Sequence, residues 1–145
     1  MIGTIRFYDE HPINERQILD ALMREGKDPG GLKPDDLFAH DQDHYGGTAA
    51  VDALAGRAGV TAAATVLDLC CGLGGPARYL ATRIGCRVTG VDLNEGRTLG
   101  AARLSRLVGL SDRVAFTRAD VTALPFRPAC FDACLSQEAF LHVPD

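Results

Sequence analysis

The segment Val66-Leu67-Asp68-Leu69-Cys70-Cys71-Gly72-Leu73-Gly74-Gly75-Pro76-Ala77-Arg78-Tyr79-Leu80 decides the fold. An apolar run that begins at Thr65 closes on a glycine turn. Pro76 then opens a helix whose Ala77, Leu80, Ala81 and Ile84 recur on one face until Gly85 ends it. A second strand follows at Arg87 to Asp92, then a helix with Leu104, Leu107 and Val108 on its inner face and Gly109 at its end. A third strand is expected at 113–117 and a fourth at 131–136, separated by a Pro-containing stretch too short for a full helix. This order predicts an α/β protein with a doubly wound, Rossmann-like parallel sheet, right-handed crossovers and helices on both faces.

Upstream the character changes. Residues 1–47 are polar and rich in His, Asp, Gly and Pro, and they are expected to form a helical and loop cap on the domain at 48–145. Asn14 followed by Gln17 reads as a capping box, with Ile18, Ala21 and Leu22 as the apolar stripe of a helix near 15–25. Pro34 opens another turn. Val51, Leu54, Ala55 and Ala58 have the spacing of a helix from Thr48 to Gly59.

Of 145 residues, 46% are hydrophobic and 23% charged, the composition of one globular domain rather than of a disordered or fibrous chain. A net charge of −4 without clustered Lys and Arg argues against a nucleic-acid partner and favours a small-molecule one. No apolar run has the roughly 18 residues of a spanning helix, and the start lacks a leader pattern, so no membrane partner and a cytoplasmic location are expected. The five cysteines have no zinc or redox spacing. They read as reduced, with Cys70, Cys86 and Cys134 as small buried apolar groups and no metal site.

In an open parallel sheet a ligand binds beyond the carboxyl ends of the strands, and the chemistry-bearing residues gather there. Backbone N–H groups of Gly72-Leu73-Gly74-Gly75 stand at a helix N-terminus, where an anionic ligand group is met. Asp92 closes the second strand at a distance that suits a carboxylate gripping both hydroxyls of a ribose, which implies an adenosine-containing ligand. Gly72, Gly74 and Ala77 satisfy a dinucleotide pattern equally well, so the turn and Asp92 leave nicotinamide cofactors and S-adenosylmethionine both open. Asp68 favours the latter. An acid inside an apolar strand is costly without a partner, and a methionine ammonium would supply one. Asp120 and the Val121 backbone, just after the third strand, suit the amino group and a ring nitrogen of adenine.

With these residues in view, residues 48–145 resemble the class I, seven-stranded S-adenosylmethionine-dependent methyltransferases. The glycine segment is similar to that family's first motif, with Cys70 where glycine is more usual. Gly90-Val91-Asp92-Leu93-Asn94 and Ala119-Asp120-Val121 are similar to its ribose and adenine segments. The resemblance implies S-adenosylmethionine as cofactor, held by Asp68, Gly72, Gly74, Asp92, Leu93, Asp120, Val121 and Gln137. Gly75-Pro76-Ala77-Arg78 and Ser136-Gln137-Glu138 look closest to small-molecule enzymes of the sarcosine/dimethylglycine and ubiquinone/tocopherol types. Asp41-Gln42-Asp43-His44-Tyr45 is similar to a segment that covers the site in those enzymes, which implies substrate or lid roles for Gln42 and Tyr45.

Methyl transfer from a sulfonium needs alignment more than a protein nucleophile. An amine or phenol/quinol acceptor gains from a base, for which His142 and His44 are the candidates by position, each also readable as a structural histidine. Aspartates also cap turns, so Asp92 and Asp120 carry that second reading. Glu138 reads as a helix-start carboxylate and stays outside the expected site. A non-catalytic adenosine-binding scaffold and a nicotinamide-dependent oxidoreductase fragment are the alternatives. Only four of the family's seven strands are countable, so truncation, or a second chain completing the sheet, is expected, with strand four as an open edge.

Overall fold

The computed structural model describes residues 2–11 and 13–144; Met1, Pro12 and Asp145, which fall within the two expected segments, lie outside it. Its elements are α1 (Ile2–Asp9), α2 (Glu15–Arg24), a 3-10 turn (Pro29–Gly31), α3 (Pro34–Leu37), α4 (Gly47–Arg57), β1 (Thr65–Leu69), α5 (Gly75–Arg83), β2 (Arg87–Asp92), α6 (Glu95–Leu107), β3 (Val114–Arg118), β4 (Ala133–Leu135) and a 3-10 turn (Phe140–His142). The four strands are parallel in the order β3-β2-β1-β4. That order reverses between β1 and β4, so the cleft at a topological switch point opens at the carboxyl end of β1.

Local chemistry sets the boundaries. The Asn14 side chain accepts the Gln17 N–H at 3.0 Å and starts α2, and the Asn94 side chain accepts the Arg97 N–H at 3.0 Å and starts α6. Gly74, at φ 75°, ends the turn before α5, and a Cβ there would stand 2.5 Å from the Phe116 ring. The strand-one, strand-two and helix expectations hold within a residue or two. The fourth strand is shorter than expected, and α1 had no counterpart in the sequence reading.

One face of the sheet carries the helical layer. Val66, Val88 and Val114 are lateral neighbours on it and share a buried cluster with Leu80 of α5, Leu104 of α6, Val51 of α4 and Leu22 of α2. Helices on both faces were expected, but β3 returns to β4 through loop 119–132. The opposite face, with Leu67 and Val91, is covered by Val121, Phe126 and Phe131 of that loop. This accounts for one misplaced side chain. Cys134 pairs with Leu67 on the face without helices and is exposed on the edge strand. Leu107, expected inside, is exposed, as is Ala58 beyond the end of α4. Cys71 and Cys86 are the buried thiols, and all five cysteines are free.

The cap is fastened by a charge pair with no access to water. Arg78 of α5 is 0% exposed, and its Nε and Nη2 donate to Asp41 Oδ2 at 3.1 and 2.9 Å. Its Nη1 donates to the Ala101 carbonyl and Ser105 Oγ of α6. A Cβ on Gly75 would stand 2.1 Å from the Asp41 carbonyl oxygen, so α5 meets the cap backbone where no side chain fits. No helix among the described residues is long and apolar enough to cross a membrane.

Removing one partner of a buried pair strands the other charge. Asp41→Ala is expected to lose about 3–5 kcal/mol in urea unfolding, while Asp41→Leu with Arg78→Met recovers most of that loss. A single-variant loss below about 1 kcal/mol would show that the pair does not fasten the cap.

Candidate functional site

The cleft above β1 is lined by the turn after that strand, the starts of the loops after β2, β3 and β4, and two pieces of the cap. The space it borders, open solvent at its mouth included, is about 1060 Å³. The structure brings Asp68, Gly72, Asp92, Leu93, Asp120, Val121, Gln137, His44 and His142 together in its wall. Gly74 stands behind the wall, packed on Phe116. The Gln42 amide is turned toward Asp41 and His44, and the Tyr45 ring is 86% exposed outside the cleft.

At the heart of the site is Asp68. It is 5% exposed at the end of a buried strand, and its Oδ2 has no hydrogen-bond partner among the described residues. Burial, and then the nearby Asp92 charge, push its carboxyl up to about 7. A cation seated against it would satisfy the orphaned oxygen and favour the ionised form.

Asp92 is held by the turn it faces. Oδ2 accepts the Gly72 N–H and Oδ1 accepts the Asn94 N–H, both at 2.9 Å. It is thus a turn partner, and each oxygen keeps a further lone pair for a ligand hydroxyl. Asp120 Oδ1 takes the N–H and hydroxyl of Thr122, and these bonds lower its pKa. Its other oxygen is available to an amino group.

These bonds correct one expectation. The Gly72 N–H goes to Asp92 and the Gly74 N–H to the Cys71 carbonyl at 2.8 Å, so neither is left for an anionic ligand group. Two N–H groups of the turn are thus engaged within the protein, and Asp92 stands beside the turn in the cleft wall. Around it stand Asp41, Asp43, Asp68, Asp92, Asp120 and Glu138, with Arg97 as the arginine in the wall. Asp41 and Asp43 are neutralised by Arg78 and Arg97, which leaves Asp92, Asp120 and Glu138 as the acidic side of the wall, a setting that disfavours a pyrophosphate beside them.

Cys70, in the position where glycine was the more usual residue, has φ 58° and lines the cleft. A left-handed backbone there is what a glycine would provide without strain. Burial first, then the nearby carboxylates, raise its thiol to about 11, so it is a neutral wall.

Several wall residues were not foreseen. Arg97 of α6 forms a short ion pair with Asp43, donates to the Ile13 carbonyl at 3.3 Å and stacks on the Tyr8 ring at 5.1 Å. Tyr8 meets His142 edge-on, with ring centroids 5.6 Å apart. The sequence signal for Asp43 was its place beside Asp41 in a segment already quoted. Tyr8 gave none, because its place depends on α1 and on Arg97.

Residues 66–145 match the family described as "Methyltransferase domain". The chain belongs to this family. Among relatives of the methyltransferase domain, a sterol 24-C-methyltransferase of Eremothecium gossypii is 42% identical over 91 residues, covering 63% of this chain and 24% of the relative. A glycine/sarcosine/dimethylglycine N-methyltransferase of Actinopolyspora halophila is 36% identical over 95 residues, covering 66% of this chain and 17% of the relative. The chain therefore spans about a quarter or less of the length of these curated relatives. In fold it is similar to a phosphoethanolamine N-methyltransferase 2 of Haemonchus contortus in complex with S-adenosyl-L-methionine. That likeness has TM-score 0.71 and 24% identity over 97% of this chain and 30% of the other.

The Asp68 carboxyl gives the unliganded protein a pH dependence. Above its ordinary value of 3.8 the unfolded chain releases this proton while the folded chain keeps it until about 7. Stability is expected to fall as pH rises through that window, by a total on the order of 4 kcal/mol. Urea unfolding at pH 5 and pH 8 should show the drop in wild type and a flatter profile in Asp68→Asn. Equal profiles would place the titration elsewhere.

Proposed function

We propose that this chain is the cofactor-binding part of an S-adenosylmethionine-dependent methyltransferase that acts on a small-molecule acceptor of amine or phenol/quinol type. The observation that carries this reading is the buried, unpartnered Asp68 carboxylate beside Asp92. A ligand that brings a ribose to Asp92 and a cation to Asp68 answers both, and the residues present fit S-adenosylmethionine on that ground. Family membership and the acid-rich wall support it. The relatives' names span a sterol and an amine acceptor, so their support reaches methyl transfer to small molecules and no finer.

When bound, the cofactor supplies a methyl group already activated on a sulfonium. Asp92 would accept hydrogen bonds from the ribose hydroxyls, and Asp120 and the Val121 backbone would take the adenine edge. Leu93 and Gln137, in the same cleft wall, would complete the set that holds the cofactor. Asp68 would hold the ammonium. What remains is alignment and proton handling. His142 and His44 both line the cleft wall; both ring nitrogens of His44 face protein groups, so His142 is the candidate for holding the acceptor's proton. The committed N–H groups of the glycine turn weigh against a nicotinamide dinucleotide.

Separate calorimetric titrations with S-adenosylhomocysteine and NAD test the reading. S-adenosylhomocysteine is expected to bind and NAD not to. Asp92→Ala should weaken the former by about 100-fold, the value of two hydrogen bonds to a charged acceptor. Binding of NAD alone, or affinity unchanged in Asp92→Ala, would overturn it. Cofactor binding without methylated amine or phenol product would favour a scaffold role.

A further inference from the structure

Segment 41–47 borders the cleft through Asp41, Asp43 and His44, and it is held in unlike ways toward its two ends. The inner end is the buried Asp41–Arg78 pair. Next to it, Gln42 Nε2 donates to Asp41 Oδ1 at 2.7 Å, and Gln42 Oε1 lies 3.1 Å from His44 Nε2. The outer end meets the turn that follows β4. Glu138 Oε1 accepts the Tyr45 backbone N–H at 3.1 Å, and Gln137 Nε2 lies 3.3 Å from His44 Nδ1, which also faces the Tyr45 carbonyl at 3.0 Å.

Glu138 itself has φ 53°, a left-handed conformation that residues with a side chain rarely adopt. Glycine would hold that turn without strain, but glycine has no carboxylate. Strained residues of this kind persist where their surroundings and role hold them. The left-handed turn stands directly after the edge strand, and both Gln137 and Glu138 meet residues 93 positions earlier in the chain. A helix-start carboxylate, the expectation for Glu138, would have served its own 3-10 turn, whereas this one serves the cap.

We propose that Glu138 is a positioning residue. It acts as a clasp that, through the Tyr45 N–H, seats His44 over the cleft and slows the exit of a bound nucleoside. The identity of that nucleoside rests on the methyltransferase reading; the clasp rests on the contacts alone. The inner pair anchors the segment permanently, because breaking it strands a buried charge. The outer bonds are partly exposed, so water replaces them at little cost and the segment opens from that end.

Hydrogen exchange of the 41–47 backbone, measured in the full chain, tests the clasp. Glu138→Ala is expected to speed exchange at the Tyr45 amide about ten-fold and leave 65–92 unchanged. S-adenosylhomocysteine dissociation should quicken about three-fold or more in the same variant. Glu138→Gln keeps an acceptor oxygen and should return both rates to within about two-fold of wild type. The proposal is overturned by unchanged exchange in Glu138→Ala, by a glutamine variant no better than alanine, or by equal loosening of 65–92. If wild type binds no S-adenosylhomocysteine, the methyltransferase reading fails, and the exchange measurement still decides the clasp.

Discussion

A guanidinium buried in the middle of the molecule organises everything above the sheet. Arg78 occupies a helix position that ordinarily takes an apolar side chain, and burial alone would push it toward losing its proton; Asp41 opposes that shift. The pair tolerates burial because the Ala101 carbonyl and Ser105 hydroxyl complete its hydrogen bonds. The consequence is geometric. Asp41 belongs to the cap, Arg78 to the helix after the glycine turn, and their partners to the next helix. Roof, turn and floor of the cleft are therefore one body. Gly75 belongs to the same constraint, since the cap backbone passes where its Cβ would stand.

The second organising fact is how the carboxylates divide their work. Asp41 and Asp43 are matched to arginines, and Asp92 and Asp120 to backbone or hydroxyl donors. Asp68 stands apart with a buried oxygen unanswered. The first four hold the cleft in shape without help. An uncompensated buried carboxylate is a standing cost that a cationic ligand removes, which is how a fold stores affinity for such a ligand. The occupied Gly72 and Gly74 N–H groups bear on the same choice, since the pattern G-x-G-x-x-A in the sequence is shared with dinucleotide sites.

The sheet was legible because its signals are local. Apolar runs ended by Gly72, Gly85 and Gly109 give strands and helices in order, and the order gives parallel pairing. Asp68, Asp92 and Asp120 were legible for the same reason, since each sits at a strand end where register places it in the cleft. What the sequence hid depends on distant partners. Arg78 reads as a polar helix residue until Asp41 is beside it. Glu138 reads as a helix start until Tyr45 is seen to donate to it. Cys134 fits a buried strand only if a helix covers its face, and loop 119–132 supplies none. The place of Tyr8 in the cleft wall depends on the Arg97 guanidinium over its ring, a partner 89 positions later in the chain.

The account turns on Asp68 being the seat of a cation, and proton release on binding measures that directly. S-adenosylhomocysteine carries an ammonium but no sulfonium, so the ammonium is its one fixed cation. Titration at pH 6 in two buffers of different ionisation enthalpy should show wild-type protein releasing close to one proton as Asp68 ionises against the ammonium, and Asp68→Asn releasing none. Binding without proton release in wild type, or the same release in the asparagine variant, would contradict it.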